Sequence, residues 1–122
     1  MAHVAGEAVA VVAPPSTPVG IDLETAARIQ IDDLLAGGFS PGEQALVLET
    51  ETAAPLRAMF AWCAKEAAAK WAGTGLNGQP GSFIVSALDD EQGFSRVVVP
   101  GDTEISVSLA ADGECILAVA FA

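Results

Sequence analysis

The chain of 122 residues is predicted to be an α+β protein, a mainly antiparallel sheet packed against one long helix plus two shorter helices. Three observations carry this. Residues 53–71 place Leu56, Met59, Phe60, Cys63, Ala67 and Trp71 on one face of a helix, the i, i+3, i+4, i+7 spacing of a core-facing stripe. The C-terminal third alternates short apolar segments with Asp-Asp-Glu-Gln-Gly, Pro-Gly-Asp and Ala-Asp-Gly turns, the rhythm of antiparallel strands. Ser40-Pro41-Gly42-Glu43 supplies an N-cap, a proline at the first helical position and a capping-box acid, which together open a second helix.

In order, the elements begin with a strand over Glu7–Ala13, cut by the turn Pro14-Pro15-Ser16-Thr17-Pro18. A second strand covers Val19–Glu24. A short helix over Thr25–Leu35 ends at Gly37-Gly38, and the capped helix after Ser40 follows. The long helix runs over Ala53–Trp71, with Gly73 as its left-handed C′ residue. Strands then lie near Ser82–Leu88, Arg96–Val99, Glu104–Leu109 and Glu114–Phe121. The run Asp89-Asp90-Glu91 reads as a solvated turn. At this length one domain, residues 1–122, is expected.

Composition narrows the function. Five basic residues against sixteen acids leave a net charge of −11, which argues against nucleic acid, whose phosphates need clustered Lys and Arg. No apolar run approaches the ~18 residues of a membrane span. The apolar start lacks a basic n-region, so it reads as a strand and not as a signal peptide. Cys63 and Cys115 have no metal-ligand spacing, and a reduced, cytoplasmic protein is the expectation.

Two segments carry candidate chemistry. In Val19–Glu24 the residues Val19, Ile21 and Leu23 share one face, and Gly20, Asp22 and Glu24 the other. Paired acids at i, i+2 on a strand repel unless a counter-charge is near. Read alone, they also suit a solvated strand end entering a helix N-terminus. Gly20 leaves room for a ligand to approach the backbone. On the long helix, Trp62, Glu66 and Lys70 line one edge of the apolar stripe, with Glu66 at the boundary between core and solvent. Lys65 is placed on the side opposite the core. Taken alone, Glu66 and Lys70 are a helix-stabilising i, i+4 pair worth about 0.2–0.5 kcal/mol.

Together, Val19-Gly20-Ile21-Asp22-Leu23-Glu24 and Trp62-x-x-Lys65-Glu66-Ala67-x-x-Lys70-x-x-Gly73-Thr74-Gly75-Leu76 resemble the two signature motifs of the 4′-phosphopantetheinyl transferases, in order and separation. Phe39-Ser40-Pro41-Gly42-Glu43 resembles that family's Phe-Ser-x-x-Glu segment. Ser82-Phe83-Ile84-Val85 resembles the strand after the Gly-Thr-Gly turn, and Ala2-His3-Val4-Ala5-Gly6 resembles the Ser-His-x-Gly element of the surfactin-type branch.

The resemblance implies transfer of the phosphopantetheine arm of coenzyme A to a serine of an acyl or peptidyl carrier protein, releasing 3′,5′-ADP. It assigns Asp22, Glu24 and Glu66 to Mg²⁺, an ion suited to carboxylate oxygens and substrate phosphates. It makes Glu66 the group that deprotonates the serine. It sets Lys65 and Lys70 on the phosphates, with Gly73 beside them, His3 on the 3′-phosphate of coenzyme A, and Arg28 on the carrier. It further implies either a trimer of short subunits or pairing with a second half in a longer chain. The acidic charge opposes steering of an acidic carrier, and a tethered carrier eases this through effective concentration. A domain belonging to a polyketide or fatty-acid synthase is therefore expected. Two other readings stay open: a non-catalytic half-domain with a structural or docking role, and an unrelated α+β ligand-binding module.

Overall fold

The computed structural model describes residues 2–4, 7–9, 18–25, 37–50, 53–113 and 115–121, with backbone alone for the first two segments. Strands β1 (Ala2–Val4) and β2 (Glu7–Val9) form an antiparallel hairpin. Strand β3 covers Gly20–Thr25, helix α1 Pro41–Leu48 and helix α2 Ala54–Trp71. After a 3₁₀ turn at Pro80–Ser82 come β4 (Ile84–Asp89), β5 (Phe94–Val99), β6 (Thr103–Asp112) and β7 (Cys115–Phe121). The five strands β3 to β7 make one antiparallel sheet in the order β3-β7-β6-β5-β4.

The α+β architecture and the antiparallel sheet agree with the sequence. Two helices are described, one long and one short, where three were expected. The expected helix over Thr25–Leu35 lies outside the described residues, except for Thr25, which is the last residue of β3. The expected strand over Glu7–Ala13 is described only as far as Val9.

Helix α1 starts as its residues dictate. Ser40 Oγ accepts from the Glu43 N–H, and the Glu43 carboxylate accepts from the Ser40 N–H, the reciprocal capping box. Helix α2 ends with Gly73 at φ +81°, and the Gly73 N–H donates to Lys70 O at 3.0 Å. Cys115 pairs across from Thr25 and Ala120 from Gly20, so β3 and β7 run in full register.

Helix α2 covers one face of the sheet. On β7, Ile116, Ala118 and Ala120 are almost wholly buried. They stand opposite Glu24, Asp22 and Gly20 of β3. Cross-strand partners share a face, so the polar side of β3 looks toward the helix. Its other side, Ile21 and Leu23, forms a separate small cluster with Val19, Leu117 and Val119. The role of Gly20 follows. A Cβ there would lie 1.9 Å from Ala67 O and 2.4 Å from Trp71 N. The backbone that approaches Gly20 is that of α2 itself, which corrects the expectation of room for a ligand.

Candidate active site

The seam between β3 and α2 collects the acids. Asp22 is only 4% exposed. Its Oδ1 accepts from Lys70 Nζ at 3.0 Å, while the buried Oδ2 has no hydrogen-bond partner among the described residues unless a protonated Glu24 supplies one. Glu24 and Glu66 flank it, each half-buried. Burial, then the Asp22 and Glu66 carboxylates, push the Glu24 carboxyl up to about 7, with Lys70 opposing. Burial and then Asp22 raise Glu66 as well, again against Lys70. Among the described residues one lysine thus faces three carboxylates, a ratio that favours the protonated forms of Glu24 and Glu66.

Cys63 lies underneath. Burial, then Asp22 and Glu24, raise its thiol well above the usual range, so it is a buried packing group and a poor nucleophile.

Chemically, the orphaned Asp22 oxygen and its two acidic neighbours suit a hard divalent cation. Among the described residues, no three His, Cys, Asp or Glu side chains are already placed to hold a metal ion together.

Lys70 reaches Asp22, and Gly73 turns the chain out of α2. Lys65 does not lie as expected. It is fully buried, on the side of α2 away from the acids, because α1 and the Gly38–Ser40 segment cover that side. Its Nζ donates to Gly38 O at 2.7 Å, Glu43 Oε1 at 2.9 Å and Pro80 O at 3.1 Å. An ammonium has three protons, and here all three are engaged, which leaves none for a phosphate. Burial lowers its pKa, and Glu43 counters this.

The partner that sequence reasoning missed is Glu43. Its signal was present as the capping-box acid, but a capping role accounts for only one of its bonds. It also accepts from the Val85 N–H at 2.9 Å. His3 lies in β1, whose hairpin packs alongside β3; its side chain and all of Arg28 lie outside the described residues. A hollow of about 200 Å³ between Thr74–Asn77 and Phe83 contains none of the acids.

The model of the 4′-phosphopantetheinyl transferase superfamily matches residues 18–120, and the chain belongs to that family. No curated protein shows significant sequence similarity to it. Phosphopantetheine transfer in general, with coenzyme A as donor and carrier proteins as acceptors, is the activity the family defines. Among the described residues, no helix is long and apolar enough to cross a membrane.

Proposed function

We propose that the chain transfers 4′-phosphopantetheine from coenzyme A to the serine of an acyl or peptidyl carrier, using Mg²⁺ held by Asp22, Glu24 and Glu66. The observation that carries this reading is the gathering of these three acids around the Lys70–Asp22 pair at the β3–α2 seam, with one buried Asp22 oxygen lacking an ordinary donor among the described residues.

When bound, Mg²⁺ would neutralise charge on the pyrophosphate and relieve the repulsion among the three carboxylates. The chain's own groups do the rest. Lys70, two-fifths exposed at its side chain, is free to turn from Asp22 toward the phosphates. Glu66, with its raised affinity for protons, accepts the proton of the carrier serine as its oxygen attacks. The serine oxygen bonds to the phosphorus bearing pantetheine, and the bond from that phosphorus to 3′,5′-ADP breaks. Asp22 holds its neighbours' charges in place from the strand.

His3 on the 3′-phosphate, Arg28 on the carrier, and assembly into a trimer with the acids facing a neighbouring subunit belong to the same proposal. So does service to a polyketide or fatty-acid synthase. Lys65 is left out of the phosphate contacts because its ammonium is engaged elsewhere.

The direct test is incubation with coenzyme A, Mg²⁺ and a panel of apo carriers, followed by mass spectrometry for the phosphopantetheine increment. Modification of a carrier that disappears with chelator supports the reading. No increment on any carrier favours a docking half-domain.

A further inference from the structure

Helix α2 poses a problem of orientation. Eleven of its residues are buried, and they lie all round its circumference. Six of them are alanines: Ala58, Ala61, Ala64, Ala67, Ala68 and Ala69. Hydrophobic burial is non-directional, and the stretch Ala67–Ala69 next to Glu66, buried through methyl groups alone, gives up little burial when it turns about the helix axis. Cores of generic apolar groups lose uniqueness before they lose stability. Yet the rotation matters, because Glu66 and Lys70 must face β3.

Met59, Phe60 and the Arg57 bonds to Leu46 O and Val47 O anchor the N-terminal half of α2; beside Glu66, where the buried neighbours are alanines, the Lys65–Glu43 pair supplies directional contacts that the alanines lack. Lys65 precedes Glu66, so the two diverge by about 100° around the axis. The Lys65 ammonium is tied to Gly38 O, Glu43 and Pro80 O. The Glu43 carboxylate is tied in turn to the backbone of Ser40 and Val85. Every bond is directional, and together they join α2 to two separate chain segments. The ring of Phe39 stands 5.1 Å from the ammonium and shields it further. A buried ion pair is weak support for stability, since an apolar pair of like volume often does as well. What it adds is a directional restraint on the side of α2 away from β3.

We propose that Lys65 is a positioning residue, which through its buried pair with Glu43 sets the rotation of α2 and so aims Glu66 and Lys70 at Asp22 and Glu24. This rests on the proposed function for its catalytic consequence, but its structural content stands apart from that reading.

The test is the double variant Lys65→Met/Glu43→Gln. It removes both charges, and the Gln amide retains an acceptor for the Val85 or Ser40 N–H and a donor for a freed carbonyl. Two readouts are needed. The first is steady-state transfer. Loosened aim lowers kcat by about 10–10²-fold, while KM for coenzyme A stays within about twofold, because no substrate contact is lost. The second is the NMR contact between the Gly20 Hα and the Trp71 amide proton, which reports the closeness of β3 to α2 in the wild type. It weakens in the double variant.

A rise in KM for coenzyme A with kcat retained would make Lys65 a phosphate ligand and overturn the proposal. An unchanged kcat with an unchanged NMR contact would overturn it as well, by showing that packing alone sets the rotation. If the double variant does not fold, Glu43→Gln alone carries the same two readouts with smaller expected changes, and the same results overturn it. If the wild type modifies no carrier, the proposed function falls, and the NMR comparison alone decides the role of Lys65.

Discussion

Replacing Glu24 with Gln is expected to stabilise the protein above neutral pH while impairing its chemistry. The folded chain raises the Glu24 carboxyl from 4.5 to about 7, chiefly through burial and then through Asp22 and Glu66. Between those values the folded state binds more protons than the unfolded one, so stability falls as pH rises through that window. A shift of this size corresponds to about 3 kcal/mol in a dry site. Glu24 is only half-buried, and solvent screening reduces the cost to about 1–2 kcal/mol.

Glu24→Gln removes that cost. Urea denaturation of the two proteins should coincide at about pH 4, where Glu24 is protonated in both states, and separate at about pH 8. The variant's midpoint should then be higher by about 0.3–2 M, given a urea slope of about 1–3 kcal/mol per molar. Added Mg²⁺ should close the gap by stabilising the wild type more than the variant. A variant no more stable than wild type at the higher pH would refute the crowding of charge at this seam.

Three further outcomes follow from the same geometry. Gly20→Ala places a methyl group against the backbone of Ala67 and Trp71; it should cost about 1–3 kcal/mol or more, read by thermal melting, and should lower transfer by moving α2 from β3. Asp22→Asn and Glu66→Gln should each abolish transfer with the circular dichroism spectrum retained, since each removes a proposed Mg²⁺ ligand; near wild-type rates for Glu66→Gln at saturating Mg²⁺ would sink the assignment. Lys70→Ala should weaken coenzyme A binding in calorimetry and also lower the melting temperature, because it leaves the buried Asp22 carboxylate without its ion-pair partner.

Local rules made much of this protein legible before any coordinates. The capping box at Ser40 and Glu43, the left-handed Gly73, the long helix and the alternation of β5 to β7 depend on neighbours a few residues apart. Such features obey propensity and period, which sequence states directly. The two motifs likewise marked Asp22, Glu24, Glu66 and Lys70 by type and spacing, and the tertiary structure brings all four to one seam.

What sequence left open were questions of which surface meets which. Period-two alternation says that Gly20, Asp22 and Glu24 share a face of β3, but not that this face lies under a helix. The wheel for α2 drew one apolar stripe and set Lys65 in solvent, because the alanines between its large residues look neutral until α1 and the Gly38–Ser40 segment cover them. Lys65 meets Glu43 across 22 positions of chain, and Asp22 meets Lys70 across 48. Pairings at such separations are set by how the elements pack, since loop closure and burial, not local preference, determine them. Sequence by itself therefore determined the elements, the family motifs and the candidate acids. Only the packing of α2 between sheet and α1 decided that Gly20 is a contact point, that Lys65 is a buried tie and that three carboxylates must share one lysine.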